Sequence, residues 1–151
     1  MTTSGVGETP ALTGEQQEAF RRAVPAAMLR SPYLGSLGLV FDRYEPDDVV
    51  LRLPFRAELT NDGIVYHGGV IATVLDTAGA GAAWSAHDFT KGTRASTVSM
   101  SIQYVGTARS SDLLGLAGTV KRGRELIFTE ITATDDQGRV VAQGLQTYRI
   151  V

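Results

Sequence analysis

The chain has 151 residues, a formal net charge of −2 and no cysteine, and 43% of its residues are hydrophobic. This composition is typical of a globular protein whose core needs no disulfides. The missing cysteines exclude thiolate metal ligands and a cysteine nucleophile, and they fit a cytoplasmic location. The charge, without a basic stripe, argues against nucleic acid as a partner, and we expect neither a leader peptide nor a membrane span.

A helix is the first element predicted along the chain. Thr13 and Gln16 have the spacing of a capping box, and residues 14–24 follow with a helical pattern. Pro25 is expected to kink or restart this helix, and residues 31–32, Ser-Pro, are expected to end it.

Two strands are predicted next, at residues 37–44 and 49–55. They flank the sequence Glu-Pro-Asp-Asp at residues 45–48, which is a turn signal. Residues 59–63, which end in Asn-Asp-Gly, are predicted to form a loop.

Residues 67–86 read HGGVIATVLDTAGAGAAWSA and are the most unusual stretch of the chain. A segment that is apolar on nearly every side predicts a buried helix. Each glycine costs a helix about 1 kcal/mol relative to alanine, so tertiary packing must compensate for Gly79 and Gly81. We therefore expect other elements to approach this helix closely.

Residues 97–104 alternate with period two, which predicts a half-buried strand. One face would carry Val98, Met100, Ile102 and Tyr104, and the other Thr97, Ser99, Ser101 and Gln103. Residues 112–121, 125–134 and 139–150 are predicted to be further strands joined by turns. The expected fold class is α+β, with an antiparallel sheet of about six strands wrapped around one long central helix, the hotdog fold.

Asp76 lies in the middle of the apolar helix. A carboxylate buried without a partner is costly, so its side chain must find hydrogen bonds or serve a function. The hydroxyls of Thr73 or Thr77 could satisfy it locally. Because the helix has no other ionisable side chain, we interpret Asp76 as a functional residue.

The start of the same helix carries a second candidate feature. Free N–H groups at Gly68 and Gly69 could polarise a carbonyl, although two glycines could equally serve an unusual backbone turn. His67 could be a base or a capping residue, and Asn61 is most simply a turn residue. The sequence lacks GxSxG, P-loop and GxGxxG motifs and has only two histidines, so we expect no cofactor and no metal site.

The stretch Asn61…His67-Gly68-Gly69…Asp76 resembles the signature of PaaI-like hotdog thioesterases, and the similarity runs from about Gly35 to the C-terminus. The resemblance implies hydrolysis of acyl-CoA thioesters by a homodimer or a dimer of dimers. By the same resemblance Asp76 is the nucleophile or general base, and Gly68 donates to the thioester carbonyl. Asn61 helps to place the attacking group, His67 supports the thioester end, and Thr97 matches by residue type only.

Two further expectations concern the substrate. Lys121, Arg122 and Arg124 cluster at a turn and are expected to bind the CoA phosphates, unless they form an ordinary exposed basic hairpin. Gly69 is placed among the substrate-binding residues. Tyr66, Trp84 and Phe89 could line an aromatic acyl pocket or belong to the core.

A shared active site is predicted from the spacing along the central helix. Gly68 and Asp76 are about 12 Å apart on one helix, so an antiparallel helix of a second chain would be needed to bring the two functions together. The small residues Gly69, Ala72, Gly79 and Ala83 are expected to permit that approach.

The domain is expected to span residues 13–151, after a disordered tail at 1–12. Two other functions stay open: an acyl-CoA-binding hotdog module without catalysis, and a hotdog dehydratase. The carboxylate Asp76 argues against the first, and activity on an enoyl-CoA would identify the second.

Overall fold

The structure is a computed structural model that describes residues 11–151. Helix α1, Gly14–Leu29, begins with the predicted capping box. Thr13 Oγ1 accepts from the backbone N–H of Gln16 at 3.2 Å, and Gln16 Oε1 accepts from that of Thr13 at 2.8 Å. Residues 1–10, most of the expected tail, lie outside the described residues.

Pro25 lies inside α1, and the helix continues past it to Leu29. Proline removes one helical hydrogen bond, but packing can compensate for that loss. Val24 is buried, and Met28 packs against a buried cluster around Ala83 and Tyr148. As predicted, α1 ends directly before the Ser-Pro pair at residues 31–32. The proline then begins another helix, the short α2, Pro32–Gly35, because proline is tolerated in the first helical turn.

Six strands form one sheet in the order β1-β2-β4-β5-β6-β3, and every neighbouring pair is antiparallel. The strands are β1 Val40–Glu45, β2 Asp48–Leu53, β3 Ala95–Tyr104, β4 Leu113–Arg122, β5 Leu126–Asp135 and β6 Val140–Ile150. The first strand begins three residues later than predicted. Leu37 and Leu39 are instead buried in the core on either side of Gly38, which has a φ of +72°.

Helix α3, Gly68–Ser85, packs against one face of the sheet and contacts all six strands, as predicted for a hotdog fold. Val74, Leu75 and Ala78 have no solvent exposure and form the centre of the core. The expected close approach to the helix glycines is confirmed at Gly81, where an added Cβ would meet the Phe41 ring at 2.9 Å.

Strand β3 lies at one end of the sheet and pairs with β6 on one side only. Its other edge leaves backbone N–H and C=O groups without a strand partner in residues 11–151. Large apolar side chains along this edge, Val98, Tyr104 and Val105, are more than half exposed, at 55%, 52% and 61%. None of the helices in the described range combines the length and apolar character needed to cross a bilayer.

Candidate active site

Asp76 accepts two hydrogen bonds from distant parts of the chain. Thr97 Oγ1, on β3, donates to Asp76 Oδ1 at 2.7 Å, and Gln146 Nε2, on β6, donates to the same oxygen at 2.6 Å. Within residues 11–151 no group donates a hydrogen bond to Oδ2. The carboxylate is therefore held through one oxygen, and the other is available for chemistry.

Asp76 does not use the local hydroxyl partners that were the alternative to a functional role. Its side chain is half-buried in this single chain, since one stripe of α3 is not covered by the sheet. Thr73 does not bond to Asp76: its hydroxyl donates to the Gly69 carbonyl at 3.0 Å and is paired with the Tyr33 hydroxyl at 2.8 Å. Thr77 is buried and also makes no bond to the carboxylate in the described chain.

Thr97 reaches Asp76 because β3 contains a bulge. The pairing with β6 shifts between Thr97 and Ser99, so Val98 is an extra residue without a direct partner. A bulge of this kind reverses the side-chain alternation beyond it. Thr97 consequently shares the helix-facing side of β3 with Met100, and its predicted position on the opposite face is wrong.

Gln146 is the site residue that sequence reasoning missed. Its amide also donates to the Asp76 carbonyl at 3.0 Å, and Thr129 Oγ1 donates to its Oε1 at 3.3 Å. Gly79 leaves room for this arrangement, because an added Cβ would collide with the Gln146 and Thr129 side chains. A polar residue on the buried face of β6, at period-two spacing from Gly144 and Tyr148, is the signal that could have identified it.

A cavity of about 360 Å³ opens beside the Asp76 carboxylate. Its wall is mostly apolar and includes Met28, Tyr33, Thr73, Ala80, Thr97 and Tyr148. Burial raises the pKa of the Tyr148 phenol, a hydrogen bond from Trp84 opposes the rise, and the nearby Asp76 charge adds to it. The phenol is thus held neutral next to the carboxylate.

The N-terminus of α3 is capped by His67, whose Nδ1 accepts from the backbone N–H of Gly69 at 2.8 Å. A ring that accepts at Nδ1 carries its proton on Nε2. The Gly68 N–H belongs to the first turn, which has no intrahelical acceptors. The Tyr104 hydroxyl donates to the Gly68 carbonyl at 3.1 Å, so β3 contacts this end of the helix as well.

The predicted site residues fall into two groups within this chain. Asp76 and Thr97 meet in the middle of α3, whereas Gly68, Gly69 and His67 lie at its N-terminus, about 12 Å away along the axis. Asn61 belongs to the second group, because it lies in the loop before α3. Its backbone N–H donates to the Val65 carbonyl, and the His67 N–H donates to the Leu59 carbonyl, so both ends of this loop are held together beside the helix N-terminus.

Two of the small residues expected to face another helix are turned inward. Gly79 is next to Gln146, and Ala83 has no solvent exposure. The stripe of α3 that the sheet leaves open instead carries Gly69, Ala72 and Asp76. Its residues are three or four positions apart and therefore share one side of the helix.

Arg122 does not present a free guanidinium group. It donates to the Ala83 carbonyl at 2.7 Å and forms an ion pair with Asp47 at 2.6 Å, so it caps the C-terminus of α3, where a cation is favoured. These contacts give Arg122 a structural role, and phosphate binding by Arg122 stays a prediction. Lys121 and Arg124 are exposed on either side of it.

Residues 63–142 match the family described as Thioesterase superfamily. Human acyl-coenzyme A thioesterase 13 is 30% identical over 116 residues, which cover 76% of this chain and 79% of the relative.

No cluster of three or more His, Asp or Glu residues that could hold a metal ion occurs among residues 11–151.

Two solved structures share the fold over most of their length. A thioesterase family protein from Silicibacter pomeroyi is 27% identical with a TM-score of 0.78, covering 89% of this chain and 98% of the other. The Escherichia coli PaaI protein from the phenylacetic acid degradation operon has a TM-score of 0.75 at 19% identity, covering 86% and 91%. The second likeness concerns the fold alone.

Proposed function

Because this chain belongs to the thioesterase superfamily, as a hotdog-fold protein of the PaaI-like type, we propose that it hydrolyses acyl-CoA thioesters with Asp76 as the catalytic carboxylate. Thioester hydrolysis is the general activity of the family, and the acyl-CoA substrate is the more specific proposal. The relative named as an acyl-coenzyme A thioesterase supports that substrate.

The observation that carries the proposal is the placement of the Asp76 carboxylate. Thr97 and Gln146 hold Oδ1, and Asp76 lines a mostly apolar cavity of about 360 Å³. A fixed carboxylate beside an apolar wall suits a reaction in which an oxygen attacks the carbonyl of an apolar acyl group.

Two balanced routes use this oxygen. As a general base, Oδ2 takes a proton from water while the water oxygen bonds to the thioester carbon; the C–S bond then breaks, and the thiolate receives that proton. As a nucleophile, Oδ2 itself bonds to the carbonyl carbon and expels the thiolate, and water then cleaves the resulting anhydride. Both routes give the free acid and CoA.

The negative charge that develops on the carbonyl oxygen needs a donor, and the Gly68 N–H is the proposed one. Asp76 and Gly68 of the same helix are about 12 Å apart, too far for one reacting carbon. We therefore assign Gly68, His67 and Asn61 to the site of a second copy of the chain. His67 would act there through Nε2–H, since Nδ1 is used by the cap.

Two features of this chain support such a homodimer. Strand β3 has an open edge that could pair with the same strand of a second copy. The open stripe of α3 carries Gly69, Ala72 and Asp76, and the small side chains of the first two would let a neighbouring helix approach closely. A two-fold pairing would repeat both contacts and produce two sites.

Lys121 and Arg124 remain our candidates for the CoA phosphates. Both side chains are exposed near the C-terminus of α3, and their charges would add to binding without touching the reacting carbon. Removing either charge should raise KM for an acyl-CoA and leave KM for the matching acyl-pantetheine unchanged. Equal effects on the two substrates would contradict this assignment.

The main test is a panel of acyl-CoA thioesters assayed for release of free thiol. We expect the parent chain to be active and Asp76→Asn to lose about 10² to 10⁴ in kcat, as a lost general base would. Asp136→Asn, the same change in an exposed turn, is the matched control and should keep parental activity. A fully active Asp76→Asn variant, folded by circular dichroism, would remove Asp76 from the mechanism.

A further inference from the structure

A second apolar cavity, of about 380 Å³, lies between α1 and the C-terminal half of α3. Its wall includes Phe20, Val24, Ala27, Met28, Trp84 and Phe89, and among residues 11–151 no charged side chain contributes to it. Of the three aromatic residues whose role the sequence left open, Trp84 and Phe89 are here, whereas Tyr66 is buried in the core.

The two cavities share one wall residue. Met28 contributes to the wall of both, and Ala80 and Trp84 follow Asp76 on α3 at intervals of four residues, which places all three on one side of the helix. Trp84 Nε1 also donates to the Tyr148 hydroxyl at 3.3 Å, and Tyr148 lines the Asp76 cavity. We call the path from Asp76 past Met28 and Ala80 to Trp84 and Phe89 the α1–α3 groove.

The far end of the groove is aromatic. Phe89 stacks on Phe20 with a centroid distance of 5.3 Å and on Trp84 at 5.7 Å. From Asp76 to Trp84 the groove follows eight residues of helix, which is about 12 Å. Since three bonds of an extended chain span about 3.5 Å, that length corresponds to roughly ten bonds.

We propose that the α1–α3 groove binds the acyl chain of the substrate, and that this chain is an unbranched, uncharged acyl group of about eight to ten carbons. The proposal rests on the proposed function, because it takes the thioester carbonyl to lie at Asp76. The groove begins at that carboxylate, its wall is apolar, and its length limits the chain. Trp84, Phe89 and Met28 are then the residues that determine chain-length specificity.

The first test is a series of saturated acyl-CoA thioesters from acetyl to palmitoyl. We expect kcat/KM to rise roughly fourfold per added methylene until the groove is full, and then to level off or fall. Ala27→Phe should fill the groove, lowering kcat/KM for decanoyl-CoA at least tenfold and leaving acetyl-CoA within twofold.

Ala26→Phe is the matched control. This neighbour is turned by about 100° around α1 and does not line the groove. It should keep the parental chain-length profile. The subsite is wrong if Ala27→Phe and Ala26→Phe give the same profile, or if the parent hydrolyses all chain lengths equally.

A second test needs no catalysis, because Trp84 is the only tryptophan of the chain. The probe is the non-hydrolysable S-decyl thioether of CoA, with or without a bromine on the terminal carbon. Contact with bromine quenches indole fluorescence, so the brominated probe should quench Trp84 strongly and the plain probe much less. Equal fluorescence with both probes at saturation would overturn the proposal.

The two tests separate the possible failures. Quenching without thiol release from any substrate would refute hydrolysis and retain the acyl site, whereas release without chain-length dependence or quenching would refute only the acyl site. A groove covered by a second copy of the chain would show quenching that disappears as protein concentration rises, which also contradicts the proposal.

Discussion

Gln146 Nε2 lies 2.6 Å from Asp76 Oδ1, so a buried amide on β6 fixes the carboxylate on α3. Gln146 is only 2% exposed, and its carbonyl oxygen is in turn hydrogen-bonded to Thr129. The position of the proposed catalytic oxygen thus depends on a strand 70 residues away in the chain.

Replacing Gln146 by methionine should lower kcat by roughly 10- to 100-fold with little change in KM, because a displaced carboxylate no longer reaches the thioester carbon correctly. Gln143→Met, on the exposed face of the same strand, is the matched control. Steady-state kinetics on one acyl-CoA would decide. A kcat within twofold of the parent for Gln146→Met would mean that the amide has no positioning role.

Thr97 should contribute less than Gln146, since it is exposed and competes with water for the same oxygen. We expect Thr97→Val to lower kcat about three- to tenfold, the equivalent of one net hydrogen bond of about 1 kcal/mol. Thr97→Ser keeps the hydroxyl and should restore most of the activity. If the serine and valine variants were equally slow, the methyl group and not the hydrogen bond would matter.

Gly79→Ala should reduce both stability and activity. The new methyl group would press on Gln146 and Thr129, and overpacking of this kind costs about 1–3 kcal/mol. Gly14→Ala is the control, because nothing lies within 4 Å of its added Cβ. Denaturant unfolding measures the difference, and unchanged stability of Gly79→Ala would show that the two side chains can move aside freely.

The shared site can be tested by complementation. Asp76→Asn and Asn61→Ala should each be inactive alone, but a heterodimer of the two retains one site with both residues intact. Mixed and reassociated chains should therefore recover toward half of the parental activity per heterodimer. Heterodimers that form and stay inactive, or a monomer that is active in sedimentation-controlled assays, would contradict the shared arrangement.

His87 gives a prediction about pH. Burial lowers the pKa of its ring below the usual 6.5, although the hydrogen bond to Gly92 opposes this. The unfolded chain therefore binds a proton below pH 6.5 that the folded chain does not, and stability should fall as the pH decreases from that value. Asp88, whose pKa the hydrogen bonds from Thr90 hold below 3.8, titrates outside this window.

Thermal unfolding between pH 7.5 and about 5 measures this effect, because this pH range lies on both sides of the ordinary histidine pKa of about 6.5. His87→Gln should show a smaller decrease in Tm over this range than the parent. Identical slopes for the parent and His87→Gln would mean that His87 is not responsible.

The sequence by itself determined the elements and the fold class. The capping box at Thr13, the glycine-rich apolar run of α3 and the period-two strands are local patterns, because hydrogen bonding and side-chain periodicity act within a few residues. The same patterns identified Asp76 as anomalous, since a charge within an apolar helix is evident from the sequence alone.

Only the tertiary structure decided which groups surround Asp76. The bulge at Val98 moved Thr97 to the helix side, and the register of β3, β6 and α3 brought Gln146 to the carboxylate. Arg122 likewise donates to the Ala83 carbonyl at the C-terminus of α3, a contact between distant segments. Each outcome depends on strand register and on contacts between distant segments, where a shift of one residue reverses the face of a side chain.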